Sequence, residues 1–141
     1  MNKIILASAS PRRKELLAQI GCTFEIITSD AKEITKSRLP QEMVEELSLL
    51  KAKDVYQKLS PKQQSEKIII GADTVVSCDG IVLGKPKNRQ QAFEMLSLLQ
   101  GRTHYVYTGV TLLASEHIRS FHEETAVHVY PMSEEEIWKY I

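Results

Sequence analysis

Six charged residues of this sequence stand where they could act together on a charged ligand. These residues are Arg12, Arg13, Lys51, Lys85, Glu33 and Asp73. The four cations could converge on a polyphosphate. The two carboxylates could hold a divalent cation, and one of them could activate a water. These residue types therefore suggest metal-assisted hydrolysis of a phosphoanhydride.

The first cations follow a strand-to-helix turn at the start of the chain. Residues 4–7 form a short apolar run that predicts a buried strand. Ser10 is a favourable N-cap and Pro11 suits the first helical position. Residues 12–14 are all basic, although the N-terminus of a helix disfavours cations and attracts anions. An anion bound at this helix start would explain the basic run, and phosphate is the usual one.

Asp73 interrupts an apolar segment. Ile68-Ile69-Ile70 precedes it and Val75-Val76 follows it, so its carboxylate is expected to be buried. A buried carboxylate needs a partner, or a task such as holding a metal or taking a proton. The alternative is a structural aspartate that caps a turn.

The other three candidates each leave two interpretations open. Lys51 shares a helical row with Leu47 and Val55, so it either extends to the rim or reaches a charge in a polar cleft. Lys85 follows a strand and is either a ligand contact or an exposed lysine. Glu33 lies in a polar loop and is either functional or simply solvated.

Local patterns predict an α/β domain, because the chain begins as strand, helix and strand. Helices are expected over 12–20, 40–59 and 88–99, and from Ser133 onward, whereas 60–66 reads as a polar connection. Strands are expected over 4–7, 23–28, 67–71, 75–76, 81–83, 103–114 and 119–130.

Composition narrows the function classes. The chain has 141 residues, 43% of them hydrophobic, and 18 basic residues balance 18 acidic ones. The length favours a single domain, and the balanced charge does not favour binding to nucleic acid. No apolar run is long enough to cross a membrane. Residues 8–14 interrupt the apolar run at the start, so no secretory signal is expected. Cys22 and Cys78 are interpreted as reduced, partly buried thiols, and a cytoplasmic protein is expected. The four histidines are interpreted as structural or solvent-facing: His104, His117, His122 and His128.

Several motifs, taken in order along the whole chain, resemble the Maf family. They are Leu-Ala-Ser-Ala-Ser-Pro-Arg-Arg at 6–13, Gly-Ala-Asp-Thr-Val at 71–75, Gly-Lys-Pro at 84–86, Gln-Gly-Arg-Thr-His at 100–104 and Ser-Glu-Glu-Glu-Ile-Trp at 133–138. The resemblance implies a single Maf-like nucleotide pyrophosphatase domain over 1–141. It also implies a fold shared with the inosine triphosphate pyrophosphatases, with an elongated mixed central sheet flanked by helices and a cleft between two lobes.

The resemblance further implies a metal-dependent nucleoside triphosphate pyrophosphatase of the dTTP/UTP type, with Mg²⁺ or Mn²⁺ as cofactor. Asp73 would be the catalytic acid/base for attack of water on the α-phosphate, and Glu33 would hold the metal with it. The triphosphate would be bound by Ser8, Arg12, Arg13, Lys51 and Lys85. Arg12 and Thr74 would set the specificity for the base.

Members of the family continue beyond the last predicted helix, so the chain is expected to be shortened at its C-terminus. The family's base-recognising glutamine and part of the second lobe would then be missing. Besides the enzyme, this leaves a second hypothesis: a non-catalytic nucleotide-binding or interaction protein related to septum formation inhibitors. Missing strands would also expose sheet edges, which favour a homodimer.

Overall fold

In the computed structural model, residues 3–141 are described. They form strands and helices that alternate along most of the chain. In order, these are β1 (Ile4–Leu6), α1 (Pro11–Gln19), β2 (Phe24–Ile26), α2 (Pro40–Lys58), α3 (Pro61–Glu66), β3 (Ile68–Cys78), β4 (Ile81–Leu83), α4 (Arg89–Leu99), β5 (Thr103–Leu113), β6 (Ile118–His128) and α5 (Glu134–Tyr140).

The strands form one mixed sheet of six strands in the order β2-β1-β3-β5-β6, with β4 paired to β3. Strand β1 is parallel to both neighbours, and Ile5 lies opposite Glu25 of β2 and Ile69 of β3. Strand β4 is antiparallel to β3, with Val76 opposite Leu83. The predicted α/β class with a mixed central sheet and flanking helices is confirmed.

The chain divides into two compact units. The first comprises the chain up to Asp73 together with Thr108–Glu123, and the second comprises Thr74–Tyr107 and Glu124–Ile141. The first unit contains a hydrophobic core from β1, α2, β3 and β5. Its buried members are Ile5, Ala7, Ala52, Val55, Leu59, Ile69 and Leu113. Burial of such apolar side chains is the main favourable contribution to folding.

Helix α2 packs directly on β3 and β5 because two glycines remove the side chains that would separate them. A Cβ at Gly71 would lie 2.2 Å from the backbone oxygen of Ser48, and one at Gly109 would lie 2.1 Å from that of Val44. Ser48 and Thr111 share a buried hydrogen bond of 2.7 Å in the same contact. The position of α2 over the sheet is thus fixed by close backbone contact.

The second unit is held partly by aromatic packing between α4 and α5. The rings of Phe93 and Trp138 stack with centroids 4.5 Å apart, and the Arg89 guanidinium lies 5.9 Å from the Trp138 ring centroid. Helix α5 begins with a capping box between Ser133 and Glu136. Within residues 3–141, no helix has the length and hydrophobicity needed to cross a membrane.

Three local predictions need correction. The segment 60–66 is not merely a connection, because Ser60 and Gln63 form a capping box that starts α3. Strand β3 runs through Asp73 without interruption. The spacing of Leu16, Leu17 and Ile20 predicts an apolar face for α1, but no residue of α1 is buried, and Leu16 and Ile20 are exposed. Helical periodicity predicts which residues share a face but not what covers that face.

Candidate active site

The turn between β1 and α1 presents a hydroxyl and a guanidinium side by side. Ser10 caps the helix by accepting a hydrogen bond from the Arg13 backbone N–H, and Pro11 occupies the first turn. The buried Ser8 hydroxyl oxygen accepts from the Ser10 N–H at 3.2 Å and from Arg13 Nη1 at 2.9 Å. Arg13 therefore folds back over the helix start, where free N–H groups and the helix dipole already favour an anion.

Lys51 of α2 joins two carboxylates from separate parts of the chain. Its Nζ lies 2.7 Å from Asp73 Oδ1 on β3 and 2.8 Å from Glu33 Oε1 in the loop before α2. The side chain of Lys51 is 16% exposed and that of Asp73 is 11% exposed, whereas that of Glu33 is 60% exposed. Lys51 thus reaches acidic partners instead of extending to the rim of the helix.

The charges of this cluster are electrostatically coupled. Burial alone would lower the pKa of Lys51, but the hydrogen bonds and charges of Asp73 and Glu33 outweigh it and raise that pKa. Burial lowers the pKa of Arg13, and the same two carboxylates oppose the shift. Both residues remain cationic at neutral pH, so the site keeps two positive charges next to two carboxylates.

The first unit brings together five residues that the sequence singled out. They are Ser8, Arg13, Glu33, Lys51 and Asp73. Arg12 lies one position before Arg13 in the first turn of α1, and its side chain is exposed. Thr74 and Lys85 belong to the second unit: Thr74 follows Asp73 within β3, and Lys85 follows β4, both exposed.

The carboxylates fit one mode of metal binding. Within residues 3–141, no group of three or more His, Cys, Asp or Glu side chains could hold a metal ion by itself. Glu33 and Asp73 supply two carboxylates directed at one position, which Lys51 Nζ contacts. Mg²⁺ is commonly bound by one or two carboxylates plus substrate phosphate oxygens. The donor set therefore suits a divalent cation that arrives with a polyphosphate.

Sequence reasoning missed the residues that attach the Glu33 loop to α2. Ser29, Thr35 and Ser37 contact carboxylates of α2, and these contacts link residues nine to 25 positions apart. Asp30, a second acidic residue of this loop, also contacts α2, because its carboxylate accepts a hydrogen bond from Lys58 Nζ at 2.8 Å. The only signal in the sequence is the clustering of hydroxyl residues in the loop.

The histidines take no part in this cluster. His104 is buried, and His117, His122 and His128 are exposed. His122 Nδ1 lies 2.7 Å from Glu45 Oε2, and His128 contacts the Thr103 hydroxyl. These positions match the structural or solvent-facing roles expected from the sequence.

Comparison with known proteins decides the family. The family of Maf-like proteins matches residues 3–141. The chain belongs to the Maf family. Curated relatives from this family include proteins named dTTP/UTP pyrophosphatase from Thermoanaerobacter pseudethanolicus and Lachnoclostridium phytofermentans. The first is 47% identical over 141 residues, which are 99% of this chain and 72% of the relative. The second is 46% identical over 146 residues, covering 100% of this chain and 72% of the relative.

A more distant likeness concerns the fold of this Maf-family chain. The Staphylococcus aureus Ham1 protein superposes with a TM-score of 0.59 over 89% of this chain and 70% of that protein. Their sequences are 15% identical, so this likeness shows a shared fold and nothing finer. It agrees with the inosine triphosphate pyrophosphatase-like fold expected from the motifs.

Proposed function

We propose that this chain is a metal-dependent nucleoside triphosphate pyrophosphatase that hydrolyses dTTP or UTP to the nucleoside monophosphate and diphosphate. The observation that carries the proposal is the contact of Lys51 with both Asp73 and Glu33, in the same unit as the Ser8–Arg13 turn. The names of relatives near 47% identity support the reaction and the substrates.

Asp73 is assigned the role of general base. Its carboxylate takes a proton from a water whose oxygen forms a new bond to the α-phosphorus. The bond from that phosphorus to the α–β bridging oxygen breaks, and diphosphate leaves with the bonding electrons. A positioned general base typically contributes a factor of about 10² to 10⁴ in rate. The fixed place of Asp73 within β3 suits this role, because a strand holds a side chain more rigidly than a loop.

The cations bind and orient the phosphates. Arg13 and Ser8 form the anion site at the start of α1, and Lys51 contributes a third donor. Arg12 and Lys85 are assigned to the same triphosphate from their positions in the motifs. Charged donors that face the departing diphosphate stabilise the charge that develops on it in the transition state.

Glu33 and Asp73 would hold the divalent cation. Once bound, Mg²⁺ or Mn²⁺ supplies positive charge that neutralises phosphate oxygens and lowers the barrier to attack. The Lys51 ammonium contacts the same carboxylate oxygens, so it and the divalent cation compete for them. The two carboxylates would therefore be neutralised by Lys51 when no nucleotide is bound, and by the divalent cation when it arrives with the nucleotide.

Release of diphosphate tests the proposal directly. The full chain is assayed with dTTP, UTP and 7-methyl-GTP, in Mg²⁺, in Mn²⁺ and in excess chelator. Release that needs metal and favours dTTP or UTP supports the proposal. Metal-dependent nucleotide binding without release would instead favour a binding protein that does not turn over, and would overturn the catalytic assignment.

A further inference from the structure

The loop that carries Glu33 has no regular structure of its own. Residues 27–38 form neither helix nor strand, and Glu33 is the central residue of a three-residue turn in which Ile34 N–H donates to Lys32 O at 2.8 Å. The place of the Glu33 carboxylate therefore depends on what attaches the loop to the rest of the first unit.

The Lys51–Glu33 ion pair alone is a weak attachment. The side chain of Glu33 is 60% exposed, and ion pairs open to water contribute little to stability because solvent screens them. The same ion pair would also be broken whenever Glu33 turned from Lys51 to a metal ion. A loop that must keep Glu33 in place needs other contacts.

One such contact lies before Glu33 in sequence. Asp54 Oδ2 of α2 accepts hydrogen bonds from the Ser29 hydroxyl and from the Asp30 N–H, both at 2.9 Å. One turn later on α2, Lys58 Nζ donates to Asp30 Oδ2 at 2.8 Å and to the Thr28 carbonyl oxygen at 3.2 Å. We call this the Asp54 anchor.

The other contact lies after Glu33. Glu46 Oε2 of α2 accepts from the Thr35 hydroxyl at 2.6 Å and from the Ser37 hydroxyl at 2.8 Å. Ser37 N–H also donates to Thr35 Oγ1 at 3.2 Å, which closes the group. The two hydroxyl donors lower the pKa of Glu46, because they favour its charged form. We call this the Glu46 anchor.

Both anchors stand on the same helix as Lys51. Glu46 and Asp54 are two turns apart, about 12 Å along α2 at the usual helical rise, and Lys51 lies between them in sequence. The helix is itself fixed by its close contacts at Gly71 and Gly109. Helix α2 thus holds the loop on both sides of Glu33, and Lys51, the ion-pair partner of Glu33, lies between the two attachments.

We propose that Glu46 and Asp54 are positioning residues that set the place of the Glu33 carboxylate for the divalent cation. This inference rests on the function proposed above. Neither residue touches the reacting atoms; each acts through the loop. Residues that support metal ligands in this way typically change metal affinity by about 10- to 100-fold when they are removed.

The first test measures the loop without any catalysis. In Glu46→Ala and Asp54→Ala, amide hydrogen exchange of residues 29–37 should become at least about tenfold faster, with α2 and β3 unchanged. Thr35→Val combined with Ser37→Ala removes the donors of the Glu46 anchor and should have the same effect. Glu42→Ala is the matched control, since Glu42 is an exposed glutamate on the same helix.

The second test asks whether the anchors act through Glu33. Mn²⁺ binding to the nucleotide-free chain, followed by electron paramagnetic resonance, should weaken by about 10- to 100-fold in Glu46→Ala and in Glu33→Gln. The double variant should be no weaker than Glu33→Gln alone, because a positioning residue has nothing left to position. Glu46→Gln keeps an oxygen acceptor for the two hydroxyls and should recover part of the affinity, because a neutral amide oxygen accepts less strongly than a carboxylate. In turnover, the half-saturating Mg²⁺ concentration should rise while kcat at saturating Mg²⁺ stays close to that of the parent.

The outcomes separate the two proposals. Unchanged exchange in both alanine variants, or additive losses in the double variant, overturns the positioning role and leaves the proposed function intact. A parent chain that binds Mn²⁺ but releases no diphosphate overturns the catalytic proposal, and the exchange and Mn²⁺ measurements still decide the role of the anchors.

Discussion

Lys51 Nζ on α2 lies 2.7 Å from Asp73 Oδ1 on β3. This contact joins the middle of a helix to the middle of a buried strand, and it gives the Asp73 carboxylate a cationic partner where both side chains are little exposed. A buried carboxylate without such a partner would be strongly disfavoured. The pair therefore explains how an aspartate is tolerated inside an apolar strand, and it places the base proposed above beside a cation of the same unit.

Asp73→Asn should abolish diphosphate release while dTTP binding persists. Asparagine keeps the shape and one oxygen but cannot take a proton from water, so kcat should fall by at least about 10²-fold. Release assays and calorimetric titration of dTTP measure the two properties separately. Asp79→Asn is the control, because Asp79 is exposed and adopts a positive φ of 51°, which asparagine also tolerates. Equal rates in parent and Asp73→Asn would refute the assigned role.

Lys51→Met should affect nucleotide and metal in opposite directions. Loss of the ammonium removes the phosphate contact proposed for Lys51, so KM for dTTP should rise about tenfold, equivalent to about 1.4 kcal/mol. It also leaves two carboxylates without their cation, so Mn²⁺ should bind the nucleotide-free chain more tightly. Lys53→Met changes an exposed lysine of the same helix and should do neither. Unchanged KM and unchanged Mn²⁺ binding in Lys51→Met would remove Lys51 from the site.

The Glu46 anchor should weaken in acid. The folded-state pKa of Glu46 is lowered from 4.5, so its contribution to stability is fully present above that value and is lost as the pH falls through the folded-state pKa. The difference in urea midpoint between the parent and Glu46→Ala should therefore shrink from about pH 6 to about pH 3. A difference that stays constant over this range would show that the charge of Glu46 does not hold the loop.

The sequence predicted elements that depend on local signals. Ser10 and Pro11 predict the start of α1, and the apolar residues before and after Asp73 predict two strand segments that the structure joins into β3. Asp73 itself was expected to interrupt that strand, because an isolated charge lowers the strand propensity of a short window. The Lys51 contact supplies what the local pattern lacks, so the strand continues.

Contacts between distant parts of the chain could not be predicted. Whether Lys51 contacts a charge or solvent depends on how α2 packs on β3. Gly71 permits that close packing, but a single glycine in the sequence does not predict it. The hydrogen bond between Thr35 and Glu46 joins a loop to a helix, and no periodic pattern in the sequence predicts such a contact. Helix α3 was overlooked because its six residues have no apolar face, although Ser60 and Gln63 carry a capping signal.

Gly71→Ala should destabilise the first unit and disturb the site. The new Cβ would lie 2.2 Å from Ser48 O, and backbone oxygen cannot move away as a flexible side chain can. Overpacking of this kind costs about 1 to 3 kcal/mol or more, and any shift of α2 would separate Lys51 from Asp73. Gly84→Ala is the control, since its Cβ would have nothing within 4 Å. Similar urea midpoints for the two variants would mean that α2 does not pack against β3 as described.

The homodimer predicted from the sequence can be tested at the outer edge of β6. This strand ends the sheet, and the paired bonds between Ala114 and His117 set its register on β5. In that register the backbone N–H and C=O of Phe121 point towards β5. Two copies of β6 could pair antiparallel along their outer edges, with Phe121 of one copy opposite Phe121 of the other. That pair would be a narrow, non-hydrogen-bonded one, so the two Phe121 side chains would meet. Arg119 of each copy would then lie opposite Glu123 of the other. Neither residue forms an ion pair within residues 3–141, and both are exposed.

Charge reversal distinguishes this edge from any other. Arg119→Glu or Glu123→Arg alone places like charges opposite each other twice and should yield monomers in sedimentation equilibrium. An equimolar mixture of the two variants restores both opposite-charge pairs, so dimers should return as heterodimers. The double variant Arg119→Glu/Glu123→Arg should dimerise like the parent for the same reason. A monomeric parent would show that β6 does not pair with a second copy. Single variants that both remain dimers would show the same, because every charge contact of that register would have been removed without effect.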